Sequence, residues 1–175
     1  IEYNRDLRIP VHQIRESERG QSDLRGRGLG IVAFPEMRRG GVGLCVATII
    51  GGCSKPLLPV ASWNSPEQAR AMTFAQLAWY EAMEQENQLS RIHSRVQLEN
   101  HLNDWQQNTD STQIGYLLSL EGADSLRTID DLEFLYSNYG LRAIGPAHVG
   151  KGRYAYGHNE NGPLSQSGRG LLNQM

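Results

Sequence analysis

The sequence predicts an α/β fold built on parallel strands, and three observations carry that expectation. Two apolar runs, residues 42–50 and 115–120, lack the alternation of a half-exposed strand and read as strands covered on both faces. A shorter apolar run follows at residues 141–144. Helical patterns with capping signals separate the runs, and such alternation implies parallel pairing through right-handed crossovers. An open doubly wound sheet and part of a (β/α)8 barrel both satisfy the pattern. A closed barrel takes roughly 250 residues, whereas this chain has 175, enough for one ordinary domain or part of a larger one.

In chain order, residues 9–19 read as a short surface helix, with Pro10 in its first turn and Val11 and Ile14 as its apolar residues. Residues 20–30 hold four glycines among charges and read as loop. Gly40, Gly41 and Gly43 allow a tight entry to the first strand, and Gly51 and Gly52 mark its exit. Ser65, Pro66 and Gln68 then form a capping box. Met72, Ala75, Trp79 and Met83 recur at helical spacing and are expected in the core. Residues 87–93 are expected to break the chain before a second box, Ser94 with Gln97, which opens a helix through Leu98, Leu102 and Trp105. Beyond the second strand, Thr128 and Asp131 begin a helix with Leu132, Leu135 and Tyr136 on one face, and Gly140 ends it in a left-handed conformation. Residues 149–163 read as a long loop rich in Gly, Tyr and Asn, and Ser165 caps a last helix.

A net charge of −2 offers no basic field for nucleic acid, and no apolar stretch is long enough to span a bilayer. No signal peptide is visible at Ile1; a start without Met is read as a missing N-terminal piece that would have taken any targeting segment with it. Of the two cysteines, Cys45 is expected mid-strand as a small buried hydrophobe and Cys53 in a loop, unpaired. That usage favours a reducing compartment, the cytoplasm, with a removed N-terminal signal left open. No GxGxxG follows a strand, no P-loop or GxSxG appears, and the glycines at 26, 28 and 30 precede no strand–helix unit.

Ligands of parallel α/β folds bind at the carboxyl ends of the strands. Glu121 closes the most hydrophobic strand, with Gly122 directly behind it, and His148 follows the next one. Consecutive strands bring them to one rim. A carboxylate beside a histidine there suits a metal site or a general acid–base pair. The plainer alternatives are a capping or salt-bridged acid and a loop histidine bonded to backbone. His12 and His101 fall on expected helix surfaces, His93 at a helix start and His158 in a polar loop, all read as solvated.

The segments GYLLSLEGADSL, DLEFLYSNYGLRAIGPAH and GPLSQSGRGLLNQM, in that order, resemble the membrane (renal) dipeptidase family, the zinc dipeptidases of peptidase family M19. FPEMRRGGVGLCVATI resembles that family's first long barrel strand, and IEYNRDLR the segment after its opening His-x-Asp metal motif in the bacterial branch. The resemblance implies the first half of a (β/α)8 barrel of the metal-dependent amidohydrolase type. Residues 1–175 would then be a partial catalytic domain lacking the first metal motif and the C-terminal half. It further implies two zinc ions in the complete protein, bridged by Glu121, and contact of His148 with substrate, where it would stabilise the tetrahedral intermediate. Arg153 and Tyr154, in the loop after His148, are within reach of substrate but match no family role.

The expected function is a zinc-dependent dipeptidase acting through a metal-bridging water, with the isolated segment inactive. The expected partners are a dipeptide and the missing half of the barrel, with a homodimer possible. Two alternatives are a related amidohydrolase acting on another amide, such as an N-acyl amino acid, and a metal-free barrel relative that only binds. His-x-Asp just before Ile1 would favour an enzyme, and its replacement by non-ligands the binding protein.

Overall fold

The computed structural model describes residues 3–53, 63–108 and 112–175. Ile1, expected to follow a metal motif, lies outside them. The elements run α1 (Val11–Ser17), α2 (Phe34–Arg39), β1 (Leu44–Ile50), α3 (Pro66–Gln85), β2 (Leu89–Arg91), α4 (Arg95–Gln107), β3 (Ile114–Glu121), a 3-10 turn (Ala123–Ser125), α5 (Ile129–Tyr139), β4 (Leu141–Gly145) and α6 (Gln166–Gln174). β3 neighbours β1 and β2 and also pairs with β4; its ladders with β2 and β4 are parallel, as expected. No described helix is long and apolar enough to cross a membrane. The chain forms two compact units, one taking the chain up to Cys45 with Ala82–Tyr116, the other Val46–Glu81 with Leu117–Met175.

In the first unit, Val11 and Ile14 of α1 pack with Ala33, and Pro10 serves as N-cap rather than first helical residue. Glu18, only 4% exposed, organises the glycine-rich loop. It accepts from Arg5 Nε at 2.7 Å, Arg27 Nη1 at 2.9 Å and the Gly28 amide at 2.7 Å. These donors, Arg5 first, hold its carboxyl down to about 2. The short α2 was not anticipated; it starts on buried Phe34 without a side-chain cap. Residues 89–91 are a strand rather than a break, because Leu89–Arg91 borrow the ladder of Ile114–Tyr116.

The Ser94 cap is as expected, its hydroxyl accepting from the Gln97 amide at 3.2 Å. The inward face of α4 is not. Leu102 is 42% exposed, while His101, expected in solvent, is buried with Nε2 2.7 Å from the Gly43 carbonyl. The glycines explain this: a Cβ at Gly43 would collide with the Trp105 ring, and one at Gly115 with the His101 ring. The helix therefore sits close enough for an imidazole to reach backbone. Tyr116 is fully buried, its hydroxyl donating to Glu84 Oε1 at 2.8 Å and accepting from Arg91 Nε at 2.9 Å. Arg91 also grips Glu84 through Nε at 2.9 Å and Nη2 at 3.0 Å.

In the second unit, Ala47 and Ile49 of β1 are buried but Val46 is 63% exposed, so the strand is not covered on both faces as expected. Along α3, Ala69, Thr73 and Leu77 face inward, whereas Ala75 is exposed and Met72 and Trp79 are only half-buried. Met83 is buried as expected, but earlier in the helix the inward face is rotated because the small side chains let α3 approach the strand exit: Thr73 Oγ1 would lie 2.8 Å from a Cβ at Gly51. Gln76 completes the approach, accepting from the Ile50 amide and donating to its carbonyl, both at 2.9 Å.

The β3–β4 ladder slips by one residue. Leu118 stands opposite Leu141, but Ser119 opposite Ala143 and Glu121 opposite Gly145, so Arg142 is the extra residue. Gly140 ends α5 at φ 68°, as expected, and Ser165 caps α6 by accepting from the Gly168 amide at 2.9 Å. Thr128 is the N-cap of α5, so the helix starts where expected, and Asp131 in its first turn pairs with Arg70 at 2.9 Å and accepts from the Arg127 amide at 2.8 Å. The long loop is internally tied by bridges between Val149 and His158 and between Lys151 and Tyr156.

Candidate active site

Glu121 is the last residue of β3, and its carboxylate leaves the apolar strand because the chain turns at once. Gly122 makes the turn at φ +81°, and a Cβ there would lie 2.7 Å from the Gly52 Cα. Gly122 must lack a side chain for the exits of β1 and β3 to touch, whereas a Cβ at Gly52 would meet only ordinary contacts of 3.5 Å or more. The Gly122 amide donates to the Gly145 carbonyl at 3.0 Å, which ties this turn to the end of β4. Three residues past that end stands His148, whose Nε2 lies 3.5 Å from Glu121 Oε1. The two residues read from the sequence as one rim are thus brought together. The distance is at the outer limit of a hydrogen bond. The side chains are 24% exposed at His148 and 45% at Glu121, open to a ligand.

Arg153 and Tyr154 lie on the loop that follows. The Arg153 side chain is exposed, with Nη1 3.3 Å from the Leu126 carbonyl. Tyr154 is buried, and its hydroxyl donates to that same carbonyl at 2.8 Å. His12, His93 and His158 are exposed, as read. Cys45 and Cys53 are unpaired; burial, with the charges of Asp124 and Glu67, pushes the Cys53 thiol up to about 11.

Asp124, which the sequence reading did not single out, is only 3% exposed. Its Oδ2 accepts from the Cys53 amide at 2.7 Å and its Oδ1 from the Arg153 amide at 2.6 Å. Burial raises its pKa, and the two amides oppose that. Its signal in the sequence was faint: an acid in a turn resembles any capping residue, and its partners are 71 and 29 residues away. Among the described residues, no group of three or more His, Cys, Asp or Glu side chains could hold a metal ion.

The solved structures to which the chain is similar include two metallopeptidases. One, described as dipeptidase AC of family M19, superposes with a TM-score of 0.61 at 23% identity over 86% of this chain and 46% of its own. The other, from Rhodobacter sphaeroides and liganded with a phosphinate mimic of the dipeptide L-Ala-D-Ala, gives 0.57 at 19% identity over 94% of this chain and 52% of its own. The chain thus spans about half the length of either, and the shared parallel α/β fold is the half barrel expected. Comparison with curated protein sequences gives no match. The family model for membrane dipeptidase matches residues 5–175, and the chain belongs to that family, peptidase family M19.

Proposed function

We propose that the protein carrying this chain is a zinc-dependent dipeptidase that hydrolyses the peptide bond of dipeptides. The observation that carries the reading is the approach of Glu121 and His148 beyond the ends of neighbouring parallel strands, in a member of the membrane dipeptidase family. Carboxylate and imidazole are donors that zinc accepts, so Glu121 suits a ligand's role. The fit is partial, because a catalytic zinc takes about three protein ligands and no such group stands together among the described residues. Further ligands would have to come from elsewhere in the protein. Zinc, when bound, supplies a Lewis acid and lowers the pKa of water.

The chain's own part is narrower. Glu121 would present a half-exposed carboxylate at a position fixed by the Gly52–Gly122 contact. His148 would donate an N–H to the oxygen that gains charge when the peptide carbonyl is attacked. Arg153, whose side chain reaches solvent, is a reasonable contact for a substrate carboxylate. Tyr154 would have to give up its bond to Leu126 to take such a part. The test is dipeptide turnover by the full-length protein, with zinc content measured before and after chelation. Turnover should fall with chelation and return with zinc. Undiminished turnover by metal-free protein would overturn the reading.

A further inference from the structure

Three stretches of backbone converge beside Glu121 and His148: the exit of β1, the turn after β3 and the loop after β4. The carboxylate of Asp124 is bonded to the first and the third, and belongs to the second. Each of its oxygens takes one amide, from Cys53 at 2.7 Å and from Arg153 at 2.6 Å. The turn is itself anchored, the Ser125 amide donating to the Gly51 carbonyl at 2.9 Å. From Arg153 a short ladder leads back to the histidine. The Gly152 amide donates to Ala155 at 3.0 Å, Gly157 to Gly150 at 2.8 Å, and His158 to the His148 carbonyl at 2.9 Å. On the other side, a Cβ at Gly52 would lie 3.5 Å from the His148 Cβ.

We propose that Asp124 is a positioning residue: by holding the exit of β1 and the 148–158 loop to the turn behind Glu121, it fixes where the His148 imidazole stands. As a statement about catalysis this rests on the dipeptidase reading. The chemistry asks for a carboxylate in particular. Both oxygens must accept, and an amide offers one acceptor while turning an NH2 group toward the second N–H. A buried amide without its acceptor is unfavourable, so the loop would move to find another.

The experiment compares Asp124→Asn and His148→Ala, alone and combined, in the full-length protein. Asp124→Asn should lower kcat roughly 10- to 100-fold, as for a slight misplacement of a catalytic group. KM and zinc content should change little. Combined with His148→Ala, it should lower kcat little beyond His148→Ala alone, because both act through one imidazole. Effects that multiply would overturn the proposal. Gly152→Ala serves if Asp124→Asn does not fold. Its Cβ would stand 3.2 Å from both Asp124 oxygens, and it should show the same pattern in weaker form. Amide hydrogen exchange is the arm that needs no activity. The amides of Cys53, Arg153, Gly157 and His158 should exchange faster in Asp124→Asn. Unchanged exchange would sink the proposal, whereas a native protein that hydrolyses no dipeptide would sink only the dipeptidase reading.

Discussion

The two ends of β3 treat their polar residues in opposite ways. Near its start, the Tyr116 hydroxyl is sealed from solvent, with Glu84 accepting from it at 2.8 Å and Arg91 donating to it at 2.9 Å. At its end, Glu121 is half-exposed and its approach to His148 is a loose 3.5 Å. A closed network in a low-dielectric interior holds one arrangement, and every member is costly to lose. An open pair contributes little to folding and keeps its donors and acceptors for something else. Polar groups whose bonds are complete serve stability; under the dipeptidase reading, the pair held in place but left short of partners serves chemistry.

Substitution at each end should separate the two roles. The largest effect is expected from Glu121→Gln in the full-length protein. If its charge supports a metal worth several kcal/mol to the transition state, kcat/KM should fall by about a thousandfold or more, with zinc lost and the urea midpoint equal to that of the zinc-free native protein. Retained activity with normal zinc would remove Glu121 from the site. His148→Ala should follow, with kcat down roughly 10²–10³-fold, as for loss of one oxyanion donor, and zinc content normal. A loss of zinc instead would make His148 a ligand. Tyr116→Phe should show the smallest effect and the opposite kind: about 1–3 kcal/mol of stability, read from urea unfolding, with kcat/KM untouched. A kinetic defect there would erase the contrast between the two ends.

What could be read from the sequence was what is decided locally. Ser94, Ser165 and Gly140 end or begin helices through bonds within a few residues, and all three stand as expected. The nearness of Glu121 and His148 was legible because strand ends in parallel folds converge, whatever the details of packing. The misses depend on distant partners. Leu89–Arg91 is a strand only because Ile114–Tyr116 lies beside it. Hydrophobicity alone does not choose the inward faces of α4 and the first half of α3; Gly43, Gly51 and Gly115 decide how near a helix may come. His101 turned inward for that reason, and Asp124 stayed hidden because its donors are backbone amides, which no side-chain pattern announces.

The slip between β3 and β4 works like a vernier. With Arg142 as the extra residue, Glu121 stands level with Gly145; an unbroken register carried on from Leu118 and Leu141 would have set it level with Ile144. Side chains alternate between faces of a sheet, so one residue of phase exchanges which of them look toward the rim. The bulge therefore holds one residue in reserve. Deleting a single residue between Leu141 and Gly145 would be absorbed by closing it, with Glu121 still level with Gly145, whereas deleting one between Gly145 and His148 meets no such slack and would shift the histidine. Lineages carrying this rim should vary in letter, and by a residue of length, within the strand, and almost not at all in length between its end and the histidine.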